Sequence, residues 1–211
     1  MHSPATYLER TESAVRKLFD GIESYTELLR PIQGTTFVSG QIDKKKFVVE
    51  YEAWAKKNAT ALKASMEAQR KYAEQAFAMA TLCGAVLQVA EKSIEIYSGN
   101  KSVPTAVEPI VGKSQAAVPF CIGREIHEVP IGLVIFAGRN QHTHFNEKSL
   151  NRVNVAVFEK LYLSRKKPSL KDPALDLSNP LLYSFASNIT FILGWRSYES
   201  YATDMYALLE I

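Results

Sequence analysis

The stretch VPIGLVIFAGRNQHTHFNE, residues 129–147, decides how the rest of this chain can be arranged. Ile131, Val134, Ile135 and Gly138 fall at helical spacing, so they predict a helix with one apolar face against a core. An arginine, an asparagine and two of the chain's four histidines follow directly. The predicted helix therefore carries a concentrated group of polar side chains to the edge of the core.

The same periodicity predicts which of these polar side chains share a face. If the helix continues to residue 147, Asn140, His144 and Glu147 lie on one face, at positions i, i+4 and i+7. Arg139 and His142 then share the neighbouring face. A surface helix can carry such residues simply because it is solvated, but their order favours a site.

The segment RNQHTH, residues 139–144, resembles the R-x4–6-H signature of HEPN domains, which are all-helical ribonucleases and nucleotide-binding modules. In that signature the arginine is typically followed by Asn, Asp or His, and here Asn140 follows Arg139. The resemblance implies an all-α fold: a HEPN-like antiparallel helical bundle with additional N- and C-terminal helices. It also implies a homodimer in which the motifs of two protomers face one cleft.

The residue types themselves suit RNA cleavage without a metal. The RNA 2′-hydroxyl can attack the adjacent phosphorus if a base takes its proton and a cation holds the developing charge. His144 fits the base because histidine titrates at about pH 6.5, and Arg139 fits the cation because a guanidinium grips phosphate with two N–H groups. Asn140 can donate to the substrate or orient the histidine. We therefore predict a metal-independent endoribonuclease with Arg139, Asn140 and His144 as catalytic residues and no cofactor.

Three further residues are auxiliary candidates for this site: His142, Glu147 and Arg124. Arg124 precedes the apolar helix and would supply a second cation. An exposed arginine at a helix end is the simpler interpretation of Arg124, because the family motif does not include it.

Two other functions compete with this prediction. His142 and His144 with Glu147, helped by His127, offer ligands that suit zinc. However, the two histidines point about 200° apart on a regular helix, so they cannot share an ion unless the helix breaks. The second alternative is a non-catalytic helical module that binds RNA, nucleotides or proteins, because a motif match alone does not establish turnover. For the ribonuclease, the resemblance suggests a toxin or an antiviral defence component, with an antitoxin or another regulatory protein as partner.

Length and composition predict a single domain over residues 1–211. A hydrophobic content of 46% is enough for a substantial core. With 25 Lys and Arg against 22 Asp and Glu, the net charge of +3 excludes a strongly basic nucleic-acid platform, so any RNA contact is local. We expect no membrane contact, because no apolar run approaches the roughly 18 residues of a membrane span. We also expect the protein to be cytoplasmic. In that compartment Cys83 and Cys121 are expected to be buried free thiols.

Helical periodicity, together with the positions of glycine and proline, predicts the remaining elements. A first helix covers about residues 6–29, and a proline-free helical region covers 43–97, either as one helix or as two with a break near Asn58. Residues 98–119 are expected to form a surface loop and residues 165–180 a linker. Ser149 is expected to cap a helix after the motif. A last helical region covers 181–209, and its aromatic residues predict core or dimer packing.

Overall fold

The structure, a computed structural model, describes residues 3–28, 36–147, 150–163, 171–180 and 182–211. Of these residues, 71% are helical and 3% are extended, which confirms the all-α class. The α-helices of the described residues, in chain order, are α1 (Pro4–Thr26), α2 (Lys44–Lys57), α3 (Ala59–Tyr97), α4 (Glu108–Val111), α5 (Ile131–Thr143), α6 (Arg152–Tyr162), α7 (Ala186–Ile192) and α8 (Tyr198–Leu208).

Shorter elements connect these helices. The two-residue strands β1 (Glu125–Ile126) and β2 (Val129–Pro130) pair antiparallel, with Glu125 opposite Pro130 and Ile126 opposite Val129. The 3-10 turns are Thr105–Val107, Gln115–Phe120 and Pro173–Leu175.

Where the sequence predicts one domain, the contacts group the chain into two compact units. The first unit comprises Met1–Gly21 and Ala78–Ile211, and the second comprises Ile22–Phe77. All candidate site residues belong to the first unit.

Helix α5 is the central helix of the first unit. Every residue from Ile131 to Ala137 is buried, so the helix is covered on all sides and not only along one stripe. Two glycines allow its neighbours to come this close. A Cβ atom on Gly132 would lie 2.4 Å from the backbone oxygen of Phe120, and one on Gly138 would lie 2.8 Å from Cγ2 of Ile189.

The motif helix ends earlier than predicted. Helix α5 stops at Thr143, and His144 is its C-cap residue, with its N–H bonded to the carbonyl oxygen of Asn140. A turn follows, in which the N–H of Glu147 bonds to the carbonyl oxygen of His144 at 2.9 Å. A continuous helical face through Glu147 is expected only if the helix continues to residue 147, and this condition is not met, because the chain leaves the helix at His144.

The prediction of a surface loop over residues 98–119 is also wrong. This segment contains α4 and two 3-10 turns, and four of its apolar side chains are buried: Val107, Ile110, Val111 and Ala117. Its prolines lie at the starts or in the interiors of short helical elements. A segment rich in proline suggests a loop, because proline interrupts regular helices. Pro109, for example, lies in the first turn of α4, where a missing N–H is tolerated.

The break near Asn58 is confirmed, because α2 ends at Lys57 and α3 begins at Ala59. Cys83 and Cys121 are both buried free thiols, as predicted. The cap of α6 is Asn151, whose side-chain oxygen accepts from the N–H of Asn154 at 2.9 Å; the predicted cap Ser149 lies outside the described residues.

The C-terminal region is two helices. Helices α7 and α8 are separated at Gly194, whose φ of 76° favours glycine. Of the predicted linker 165–180, residues 171–180 are described, and Leu175 there is buried in a 3-10 turn. Residues 165–170 lie outside the described part.

The second unit carries much exposed apolar surface. Phe37 contacts the rings of Phe47, Tyr51 and Trp54, each at a centroid distance of 5.4 Å. Helix α2 has no buried residue. Exposed large side chains of this unit include Val38, Ile42, Val48, Val49 and Met66.

Helix α3 also departs from the expectation that no segment resembles a membrane span. Among the described residues it is the one helix long and apolar enough to cross a membrane, with a mean hydropathy of 1.2 over its most apolar window. A third of that window is buried within the protein, and core helices of water-soluble proteins meet the same criteria.

Candidate active site at the end of the central helix

The exposed end of α5 carries a histidine paired with a carboxylate. Nδ1 of His144 lies 2.5 Å from Oε1 of Glu147, and both side chains are exposed to solvent, at 45% and 59%. A carboxylate only accepts hydrogen bonds, so Nδ1 of His144 carries the shared proton. In the neutral imidazole, Nε2 then has a free lone pair and can act as a base.

Arg139 lies on the other side of α5, against helix α3. Its Nε donates to Oε1 of Gln88 at 2.8 Å, and its Nη1 donates to Oδ1 of Asn140 at 3.0 Å. The side chain is 25% exposed, and Asn140 is buried. The structure therefore brings Arg139 and Asn140 together and anchors Arg139 on α3.

Glu91 completes this polar cluster. Its Oε2 lies 3.9 Å from Nε of Arg139 and has no hydrogen-bond partner among the described residues, although the side chain is buried. Burial raises the pKa of Glu91, and the positive charge of Arg139 opposes that rise. Sequence reasoning missed Gln88 and Glu91 because they lie far from the RNQHTH segment along the chain, with Gln88 51 residues from Arg139. The available signal was a pair of polar residues at i and i+3 within an otherwise small and apolar helix segment.

His142 and Gln141 hold a neighbouring segment of chain. Nδ1 of His142 lies 2.8 Å from Oγ of Ser184, and burial lowers the pKa of His142. Nε2 of Gln141 donates to the carbonyl oxygen of Tyr183 at 3.0 Å, while its Oε1 accepts from the N–H of Phe185 at 2.8 Å. The middle residues of the motif thus fix residues 183–185 to the end of α5. Gln141 was not predicted as a site residue.

Arg124 serves a different part of the fold. Its guanidinium donates to both carboxylate oxygens of Asp204, each at 2.8 Å, and to the carbonyl oxygen of Leu193 at 2.6 Å. The hydrogen bonds to Asp204 raise the pKa of Arg124. These bonds link the residue that precedes β1 to the C-cap residue of α7 and to α8, and none of them is to a motif residue. The expectation that Arg124 supplies a second cation at the site gains no support from these contacts.

A cavity of about 480 Å³ opens beside His144. Its lining includes the motif residues Gln141 and His144 and the paired Glu147, together with a largely apolar wall: Phe145, Leu150, Val155, Leu177, Leu182, Tyr183 and Phe185. Arg139 does not line it. Five residues correspond to about 140° around a helix axis, so Arg139 and His144 of one protomer face different directions.

The histidines do not combine into a metal site among the described residues. His142 bonds to Ser184, His144 to Glu147, and Nδ1 of His127 lies 3.0 Å from the carbonyl oxygen of Leu161. In the part of the chain that the structure describes, no three His, Cys, Asp or Glu side chains come together to bind an ion.

In comparisons with known protein families, curated proteins and solved structures, no match to this chain was found.

Proposed function

We propose that this protein is a metal-independent endoribonuclease of HEPN type, in which the RNA 2′-hydroxyl loses its proton to a base and attacks the adjacent phosphorus. The bond from phosphorus to the 5′-oxygen of the next nucleotide breaks, and that oxygen takes up a proton to leave as a 5′-hydroxyl. The observation that carries the proposal is the exposed His144–Glu147 pair at the mouth of a cavity. The carboxylate orients the imidazole and leaves Nε2 available, which is the arrangement that a general base needs.

Arg139 and Asn140 supply the charge stabilisation in this proposal. The guanidinium stays protonated and can bind a phosphate oxygen through the N–H groups that Gln88 and Asn140 do not use. Anchoring on α3 reduces the freedom that Arg139 must lose when it binds the phosphate, so its electrostatic effect is preorganised.

A homodimer with a composite site is part of the proposal. Arg139 and His144 face different directions within one protomer, so a second copy can bring the arginine of one chain to the histidine of the other. The exposed apolar side chains of the second unit offer surface for such an association. The resemblance further suggests a cytoplasmic toxin or antiviral defence component, regulated by an antitoxin or another protein.

One observation favours the alternative, a non-catalytic module that binds RNA, nucleotides or proteins. Part of the hydrogen-bonding capacity of Arg139 is already used by Gln88 and Asn140, and the side chain is only 25% exposed. Such an arginine can dock a phosphate without taking part in a reaction.

The test measures RNA binding and RNA cleavage in parallel at fixed salt, because phosphate contacts weaken as salt rises. Wild type should cleave single-stranded RNA in EDTA and leave 2′,3′-cyclic phosphate and 5′-hydroxyl ends. Arg139→Lys should retain much of the affinity for RNA but lower the cleavage rate about 10²-fold or more, because an ammonium cannot form the bidentate hydrogen bonds of a guanidinium to phosphate. His144→Ala should abolish cleavage, and His142→Ala should be milder.

Three results would count against the proposal. Wild-type protein that binds single-stranded, structured and transfer RNA without cutting any of them would leave the binding module as the better conclusion. Cleavage lost in EDTA and restored by zinc or manganese would favour a metal site at His142 and His144. Equal losses in His142→Ala and His144→Ala would mean that the assignment of the base is wrong.

A further inference from the structure

We infer that the cavity beside His144 is a nucleobase subsite, which receives one base of a single-stranded RNA next to the bond that is cut. This inference rests on the proposed function and specifies how the same site recognises its substrate.

The cavity lies directly beside the proposed general base. His144 and Glu147, the exposed polar pair of the motif, line the cavity together with the apolar wall. A base held in the cavity would therefore lie within one nucleotide of the proposed general base. The segment that contains His144 and Glu147 would then both contact the base and take the proton from the 2′-hydroxyl.

The lining suits a base better than a phosphate. Most of the lining side chains are aliphatic or aromatic, and they include Phe145, Tyr183 and Phe185. No lysine or arginine is among the described residues that line the cavity, whereas phosphate sites in proteins are typically built on such cations. Aromatic rings stack on the face of any base, which favours unpaired RNA over a duplex whose bases are already stacked.

The wall of the cavity is fixed by the motif itself. Gln141 bonds to the backbone of both Tyr183 and Phe185, and His142 bonds to the hydroxyl of Ser184 between them. Through these bonds, which use one donor and one acceptor site of its amide, Gln141 positions the wall of the cavity. Gln141 and His142, which lie between Arg139 and His144, thus hold the wall of the cavity next to the proposed general base.

Tyr183 is the side chain that most directly tests the inference. It is 72% exposed while lining the cavity, so its ring can cover a base without first leaving a packed core. Phe191 provides a matched control, because it is a similarly exposed aromatic residue, at 62%, and does not line the cavity. Val155→Trp offers a second kind of test, because the larger side chain would fill the cavity.

The experiment measures binding of uridine 3′-monophosphate and adenosine 3′-monophosphate by calorimetry, with ribose 5-phosphate as the probe that lacks a base. Wild type should bind the nucleotides more tightly than ribose 5-phosphate. Tyr183→Ala should weaken nucleotide binding about tenfold, the effect of losing one stacking contact, whereas Phe191→Ala should not change it. Val155→Trp should prevent binding, with circular dichroism and a melting curve to establish that this variant is folded.

Cleavage assays separate this inference from the proposed function. In Tyr183→Ala and Gln141→Leu, KM for RNA should rise while kcat is largely kept, a split that a general loss of fold would not produce. Nucleotide binding that depends on Tyr183 in a protein that cuts no RNA would support the subsite and reject the nuclease. RNA cleavage with unchanged KM in Tyr183→Ala, or nucleotides bound no better than ribose 5-phosphate, would overturn the subsite whether or not the protein is a nuclease.

Discussion

His142 illustrates how burial changes the chemistry of a single residue. Burial lowers its pKa in the folded state below the ordinary value of 6.5. As pH falls below about 6.5, the unfolded chain therefore binds a proton that the folded chain resists, and the free energy of unfolding decreases. The contribution is fully present above 6.5 and is lost progressively as pH falls towards the folded pKa.

We predict that His142→Asn, which keeps a polar contact to Ser184 but cannot be protonated, reduces this pH dependence. Wild type should lose more stability than the variant between pH 7 and pH 5. Urea unfolding at pH 7, 6 and 5 gives the two slopes. Parallel curves for wild type and variant would show that His142 does not determine the pH dependence.

Gly84 provides the space that the His142 ring occupies. A Cβ atom on Gly84 would lie 2.1 Å from Nε2 of His142, so Gly84→Ala must displace the ring and its bond to Ser184. We expect destabilisation of about 1–3 kcal/mol, the usual range for overpacking. Urea unfolding measures it.

Two controls define the origin of this effect. Gly99→Ala, where no atom lies within 4 Å of the new Cβ, should change stability by less than about 0.5 kcal/mol. In a His142→Ala background, Gly84→Ala should have little cost, because the clashing ring is absent. The same loss in both backgrounds would locate the strain elsewhere.

At the scale of the element, the burial of α5 depends on glycines whose neighbours differ in how easily they can move. The atom closest to a new Cβ on Gly132 is the backbone oxygen of Phe120, at 2.4 Å, whereas the atom closest to one on Gly138 is a side-chain methyl of Ile189, at 2.8 Å. The side chain of Ile189 can shift or change its rotamer, but a carbonyl in a 3-10 turn can shift only with the backbone.

We therefore predict that Gly132→Ala destabilises the protein more than Gly138→Ala. Alanine gains about 1 kcal/mol over glycine in a helix, which partly offsets the smaller clash at residue 138 but not the larger one at residue 132. Thermal unfolding of both variants gives the order. Equal melting temperatures would mean that the Gln115–Phe120 turn yields as easily as a side chain.

For the whole molecule, the proposed composite site requires two chains. We predict a solution mass twice the 23.6 kDa of the chain, measured by light scattering after size exclusion. Mixed dimers of Arg139→Ala and His144→Ala should contain one intact composite site, so a refolded mixture of two inactive proteins should regain about a quarter of wild-type cleavage. A monomer that still cleaves RNA would refute the composite site, and a mixture without activity would place both residues in the same chain.

Local patterns in the sequence determine much of the secondary structure of this protein. The apolar stripe of residues 131–138 predicts the central helix, the break near Asn58 separates α2 from α3, and both cysteines are buried as composition suggested. These features depend on helical periodicity and on residue type, which act over a few residues and can be seen in a single chain. The same information placed Arg139 and Asn140 on one short segment.

Only the tertiary structure decided what those polar residues contact. Gln88 lies 51 positions from Arg139, Tyr183 lies 42 positions from Gln141, and Asp204 lies 80 positions from Arg124. No helical period relates such distant residues, because their contacts depend on how buried helices pack. The end of α5 at Thr143 could not be predicted from the sequence either, because the helical pattern gives no sign of it. A turn follows the helix and brings Glu147 to His144.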